Sequence, residues 1–210
     1  MEAVLICDTK RQSSQCLAYN LSRVELETQD RSGNPTHQNM FFALVHYVAV
    51  DSVSIKQLRK KYDPQFQLIE PHVTIVFPVP ESIGEQPFIS HIENVLRSWQ
   101  PFAIRVNGVQ LSWDNYLFLL VEEGKSDLIG LHTEMYKALL AKYRKNEVPF
   151  VPHVTLGSFS EDGERSREAL KEAEGLNLDY RSVVDRLHLV KVNDDHSQII
   201  SSREFLLFVE

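Results

Sequence analysis

The sequence is short of the residues that build several common kinds of protein. It has two cysteines, Cys7 and Cys16. Both lie near the N-terminus, too few for a disulfide framework and without a second pair to make a Cys-x-x-Cys zinc site. They read as incidental thiols of a reducing compartment. No run of about 18 apolar residues is present, which excludes a membrane-spanning helix. The opening MEAVLICDTKRQSSQC sets acidic Glu2 before its short apolar patch and Asp8 after it. A secretory signal would instead show a basic start and a longer apolar stretch, so a cytoplasmic protein is expected. Positive charge is also scarce: 22 Lys and Arg face 29 Asp and Glu, for a net charge of −7. A protein that tracks a long nucleic-acid backbone carries a basic face to neutralise phosphates. A long duplex is therefore not an expected partner, nor is a membrane. A local pocket for one phosphate, on a small nucleotide or an RNA terminus, stays open.

What the chain does have is a repeat. Residues 71–77 read PHVTIVF and residues 152–158 read PHVTLGS, with 81 residues between the two histidines. With average residue usage, a second chance copy of a tetrapeptide in a chain of this length has a probability on the order of one in a thousand. The surroundings repeat as well. Tyr62 precedes His72 by ten residues and Tyr143 precedes His153 by ten, each behind a lysine. At the same offset Val109 falls on Val190.

The hydrophobic pattern has the same two-part rhythm. FFALVHYVAV is a buried-strand run, and SVSIKQLRKKY puts Ile55, Leu58 and Tyr62 at helical spacing behind serines able to cap. The first PHVT strand follows. PFISHIENVLRSW is a helix with Ile89, Ile92, Leu96 and Trp99 on one face, and FAIRVNGVQLS is a strand. The order then begins again. YLFLLVEE is a strand, SDLIGLHTEMYKALLAKY one helix, PHVTLGSF the second motif strand, EDGERSREALKEAE a charged helix and VVDRLHLVKV a strand. SQIISSREFLLFVE closes the chain as a hairpin around NDDHS. These elements predict an α/β (α+β) bilobal duplicated module over residues 41–210. In it two antiparallel sheets face a central cleft and helices lie outside, related by a pseudo-twofold. Residues 1–40, ending in the turn-rich DRSGNPTHQN, read as an N-terminal extension of unknown role.

In a strand, His72 and Thr74 point to one face and Val73 and Ile75 to the other. The two polar side chains then stand about 6 to 7 Å apart. That spacing lets an imidazole reach an apical oxygen of a phosphate while the hydroxyl donates to a non-bridging oxygen. His153 and Thr155 supply the mirrored pair. The result is general acid and base catalysis of in-line transfer, one neutral histidine taking a proton from water and one protonated histidine giving a proton to the leaving alkoxide. This scheme calls for no metal or other cofactor. A strained cyclic phosphate suits it well.

Those motifs, over roughly residues 41–210, resemble the two-histidine phosphoesterase superfamily, in particular its 2′-5′ RNA ligase-like and cyclic phosphodiesterase branch. The resemblance implies that His72 and His153 are the catalytic pair and Thr74 and Thr155 the phosphate ligands. It also implies hydrolysis of 2′,3′-cyclic phosphates, or cleavage or ligation of 2′-5′ phosphodiester links, without a metal cofactor. Phe77 stands where the family often has an aromatic, implying a contact at the base site. One departure is visible: the ligase branch often has a basic residue soon after the second motif, whereas here Gly157 and Ser158 follow Leu156. By strand alternation Gly157 shares the face of His153 and is expected to open space for substrate.

Other classes of function compete. A nucleotide or RNA-end binding module would keep the cleft without turnover, and a purely structural duplication would use the motif for packing alone. Tyr62 and Tyr143, at helix ends, read first as packing residues. The basic clusters IKQLRKKY and KALLAKYRK read first as solvated helix ends that complement the helix dipole.

Overall fold

The structure, a computed structural model, describes residues 39–50, 52–144, 149–160, 163–194 and 197–208. The extension assigned to residues 1–40 lies almost entirely outside them. The elements are β1 (Phe41–Tyr47), α1 (Val53–Tyr62), β2 (His72–Pro80), α2 (Glu85–Leu96), β3 (Phe102–Leu111), β4 (Tyr116–Glu123), α3 (Lys125–Met135), β5 (His153–Ser158), α4 (Gly163–Glu174), β6 (Asp179–Val184), β7 (Arg186–Val192) and β8 (Ile199–Leu206). The Ser52 hydroxyl caps α1 by accepting the Ile55 N–H at 3.2 Å, as its serines predict. Helix α2 buries Phe88, Ile89, Ile92 and Leu96, the face its spacing marks out.

Two expectations are corrected. The long helix over 126–143 stops at Met135, and residues Ala138–Tyr143 form a separate 3₁₀ helix after Ala138 enters the left-handed region at φ 48°. The break lets Tyr136 pack against β2 while Leu140 becomes fully buried. The strand read as VVDRLHLVKV is two strands divided at Asp185, because β6 pairs with β3 and β7 pairs with β1 on the other side of the sheet.

The larger correction concerns the sheets. In place of two sheets facing a cleft there is one eight-stranded sheet, in the order β6-β3-β4-β5-β2-β1-β7-β8, antiparallel throughout. Each half gives a strand to the other: β3 leaves the first half to pair with β4, and β7 leaves the second to pair with β1. The halves are joined where β2 meets β5 at Val73 and Val154, which are equivalent positions of the repeat. The junction between the halves therefore lies in the middle of a single sheet. A repeat in sequence reports that the halves are alike; it does not report which half a returning strand joins.

The helices and one face of the sheet share a single core that includes Leu44, Ile55, Leu58, Val73, Ile75, Ile92, Leu119, Leu128, Val154 and Leu156. With Val73 and Val154 in that core, the flanking histidines and threonines fall on the open face. Beyond the central pair the two motif strands lose their pairing, and a helix from the opposite half covers each gap. On the β2 side, His132 Nδ1 donates to the Ile75 carbonyl at 2.8 Å and the Phe77 N–H donates to the Tyr136 hydroxyl at 3.0 Å. On the β5 side α1 closes in, and a Cβ on Gly157 would stand 2.9 Å from the Tyr62 Cβ and 3.0 Å from the Phe159 ring.

Gly157 thus serves close packing under α1 and does not open space for substrate. The reason is a β-bulge. Register shifts between Leu117 and Phe118, so Leu156 and Gly157 both turn inward, and the matched bulge in β2 turns Ile75 and Val76 inward. Gly157→Ala is expected to cost about 1–3 kcal/mol by overpacking, since a backbone-proximal Cβ cannot swing aside. Denaturant unfolding checks this, and an unchanged midpoint would contradict the close approach.

Candidate active site

The central pair sets the geometry of the site. Val73 lies opposite Val154 in antiparallel register. Continuing that register by one residue either way sets His72 against Thr155 and Thr74 against His153. The four sequence-predicted residues thereby come together on the open face as a quadrilateral, with the histidines at opposite corners. Each side chain is half-buried.

Both imidazoles are held by the same device. His72 Nδ1 lies 2.8 Å from the Glu70 carbonyl and His153 Nδ1 lies 2.6 Å from the Val151 carbonyl, in each case two residues upstream. A carbonyl can only accept, so Nδ1 carries the proton in both rings and Nε2 is left with its lone pair facing the open side. The proline between carbonyl and histidine explains the local shape. Pro71 and Pro152 fix their own φ and hold the preceding residue extended. Their carbonyls are pinned in turn, accepting from the Val48 N–H at 2.9 Å and the Val121 N–H at 3.1 Å. The latch needs the whole Pro-His-Val-Thr unit, which is a reason for four residues to repeat together.

The surroundings of the two rings differ. Phe118 stacks on His153, with centroids 3.5 Å apart and planes 23° from parallel, and Tyr116 stacks beyond it at 6.0 Å. His72 meets Tyr47 edge-on at 6.3 Å, and Tyr47 leans on His188 at 4.7 Å. Sequence reasoning missed Phe118 and Tyr47, because both lie on neighbouring strands and only the pairing brings them in. Phe77, expected at the base site, sits about 10 Å past Thr74 along the strand. Its ring packs edge-on against His132 at 6.4 Å and Phe150 at 6.2 Å, and those two stack on each other at 3.9 Å. Tyr62 is buried and donates to Glu172 at 2.7 Å, and Tyr143 packs against the core. Neither lies with the histidine pair. Lys61 of the first basic cluster is paired with Glu168 and Glu172 on α4. Among the described residues no three His, Cys, Asp or Glu side chains are grouped to hold a metal ion.

Desolvation dominates the electrostatics. It lowers the His72 pKa to about 4; the Glu70 carbonyl partly opposes it, Arg59 adds to the lowering and Asp63 resists. His153 is likewise lowered to about 4 by desolvation, with the Val151 carbonyl opposing and the charge of His72 adding to the effect. Burial also lowers His46, His132 and His188 below the ordinary imidazole value of 6.5.

These shifts give stability a definite pH dependence. A histidine whose pKa is depressed by folding contributes its full stability above the unfolded value and loses it as pH falls through the folded one. Stability is expected to fall from about pH 6.5 towards pH 4. The upper part of that window lies above the range where carboxylates such as Asp185 and Glu172 titrate. Urea midpoints across this range check the sign, and replacing His72 or His153 with alanine should flatten the profile. A midpoint that holds steady from pH 6.5 to 4.5 would contradict it.

One antiparallel sheet carries a repeated His-x-Thr pair at its centre, the arrangement expected of a two-histidine phosphoesterase. The chain belongs to the 2′-5′ RNA ligase superfamily, whose family model matches residues 48–196. Among curated proteins it is similar to a Bacillus licheniformis protein named "Putative phosphoesterase", 30% identical over 141 residues, which are 66% of this chain and 82% of the relative. A Bacillus cereus protein of the same description is 31% identical over 137 residues, 63% of this chain and 77% of the relative. Among solved structures, Escherichia coli LigT complexed with 3′-AMP aligns with a TM-score of 0.47 and 17% identity, over 81% of this chain and 95% of that one. Kluyveromyces marxianus Usb1 aligns with a TM-score of 0.42 and 16% identity, over 82% of this chain and 100% of that one.

Proposed function

We propose that the chain is a phosphoesterase that hydrolyses 2′,3′-cyclic phosphates of nucleotides or RNA ends, with His72 and His153 as a general acid and base pair. The observation that carries this reading is the matched latch: two imidazoles, each fixed with Nδ1–H on its own upstream carbonyl, flank one point on the open face of the sheet. The phosphorus sits at that point, between the two Nε2 atoms. One Nε2 takes a proton from water as the water oxygen bonds to phosphorus. The bond from phosphorus to one ribose oxygen breaks, and the other Nε2, protonated, gives its proton to that oxygen. The hydroxyls of Thr74 and Thr155 donate to the non-bridging oxygens, where charge builds in the transition state. The matched tautomers equip either histidine for either role. A nucleobase placed against Phe77 would lie beside the lead-in to His153.

The low pKa values fit this scheme once the substrate is counted. With no anion beside them both rings are neutral near pH 7, which suits the base. An anionic phosphate between them favours the charged form and raises the pKa of the acid.

The test is ³¹P NMR of 2′,3′-cyclic nucleotides and of a 2′-5′-linked dinucleotide incubated with the protein in EDTA. Conversion of the cyclic resonance to a 2′- or 3′-monophosphate is the expected result, and the product shift says which ester bond broke. Turnover confined to the dinucleotide would replace hydrolysis of the cyclic ester with 2′-5′ cleavage. Saturable binding of both ligands without turnover would make the protein a binding module.

A further inference from the structure

The two latches are alike, but the halves differ in what holds them from behind. Between α1 and His72 the chain is tied back to the helix by one buried side chain. Arg59, in the last turn of α1, is 2% exposed. Its Nε donates to Asp63 Oδ2 at 2.8 Å, its Nη2 lies 2.8 Å from the same oxygen as an ion pair, and Nη2 donates to the Ile69 carbonyl at 2.8 Å. Asp63 caps the same helix. Its N–H donates to the Arg59 carbonyl at 2.7 Å, its Oδ1 accepts the Gln65 N–H at 2.9 Å and its carbonyl accepts the Phe66 N–H at 3.1 Å. The segment from 63 to 69 is thus anchored at both ends. The next carbonyl after Ile69 is that of Glu70, the one that accepts His72 Nδ1–H at 2.8 Å. Two successive carbonyls are therefore committed, one to Arg59 and one to the imidazole.

The second half lacks this pair. At the positions 81 residues on from Arg59 and Asp63 stand Leu140, fully buried, and Arg144, exposed. An apolar residue evidently fills that place in the core. A buried ion pair is no better for stability than well-packed apolar residues, and it is costly to desolvate. What it adds here is direction: a guanidinium fork can grip a carboxylate and a carbonyl at once, and a leucine cannot grip either.

We infer that Arg59, held by Asp63, is a positioning residue for His72, fixing the Ile69–Glu70 peptide so that the Glu70 carbonyl keeps the imidazole in its Nδ1–H form with Nε2 turned to the open face. The duplication has kept the latch in both halves and the clamp behind it in one. The consequence for turnover rests on the acid and base reading above, while the consequence for the tautomer does not.

The test is ¹⁵N NMR of the imidazole rings at neutral pH in two variants. The double variant Arg59→Met with Asp63→Leu removes the pair but keeps apolar bulk, so the fold survives its loss. Arg59→Lys keeps the charge but cannot reach both acceptors. In the unaltered protein His72 and His153 both show Nδ1–H. In the variants His72 is expected to populate Nε2–H while His153 stays as it was. kcat for a 2′,3′-cyclic nucleotide should fall by about 10²-fold, the scale of a misplaced catalytic group. An unchanged His72 tautomer in either folded variant overturns the inference. So does an equal shift of both histidines, which would report general loosening. If no cyclic nucleotide is turned over even by the unaltered protein, the function proposed above fails while the tautomer still decides the role of Arg59.

Discussion

His72→Ala and His153→Ala are each expected to lower kcat/KM for a 2′,3′-cyclic nucleotide by about 10²- to 10⁴-fold, with the protein still folded. The size follows from the loss of one positioned proton donor or acceptor. The survival of the fold follows from the place of the rings: both are half-buried on the open face, with Val73 and Val154 carrying the core contacts of the same strands. The double variant should be little worse than either single one, because an acid and a base that act in one transition state fail as a unit. Thermal melts beside the kinetics separate this account from packing. If either alanine variant unfolds at assay temperature, or keeps nearly full activity, the paired-catalyst reading fails.

The next largest effect is expected at the threonines. Thr74→Val and Thr155→Val keep the branched shape that favours a strand and delete only the hydroxyl. Each is expected to lower kcat by about 10²-fold, the typical consequence of removing one donor to a developing oxyanion. Thr→Ser at either position keeps the donor and should retain most of the activity. A strand-forming role predicts the opposite ranking, with valine harmless and serine destabilising. Steady-state kinetics with a melting curve for all four variants decides between the two.

How much of this was legible in the sequence differs from element to element. Helix α2 carries a clear period, β1 is a continuous apolar run, β3 and β4 read as strands, and all four appear where the sequence places them. The four motif residues could be assigned to one face by alternation, because the bulges lie just beyond them. At Leu156 and Gly157 the bulge breaks alternation, and the expectation for Gly157 failed for that reason. The single sheet was hidden because the exchange of β3 and β7 between halves leaves no mark on local patterning. The break at Ala138 was hidden too, since the left-handed region is usually taken by glycine or asparagine and nothing marks an alanine for it. The latch could have been found. A proline before each histidine commits the preceding carbonyl to a fixed place, and it was read only as part of a repeat. Phe118 and Tyr47 could not, because what makes them neighbours of the histidines is strand pairing.

The central claim is that His72 and His153 hold one phosphate between their Nε2 atoms. ¹⁵N-detected titration of the imidazoles, with and without a saturating nucleoside 3′-monophosphate, tests it most directly. The account predicts that both rings titrate near pH 4 in the free protein, each as the Nδ1–H tautomer. On binding, the pKa of at least one should rise, while buried His46 and His132 do not respond. If His72 and His153 titrate near 6.5 and neither responds to the nucleotide, the phosphate does not sit between them, and the account is contradicted.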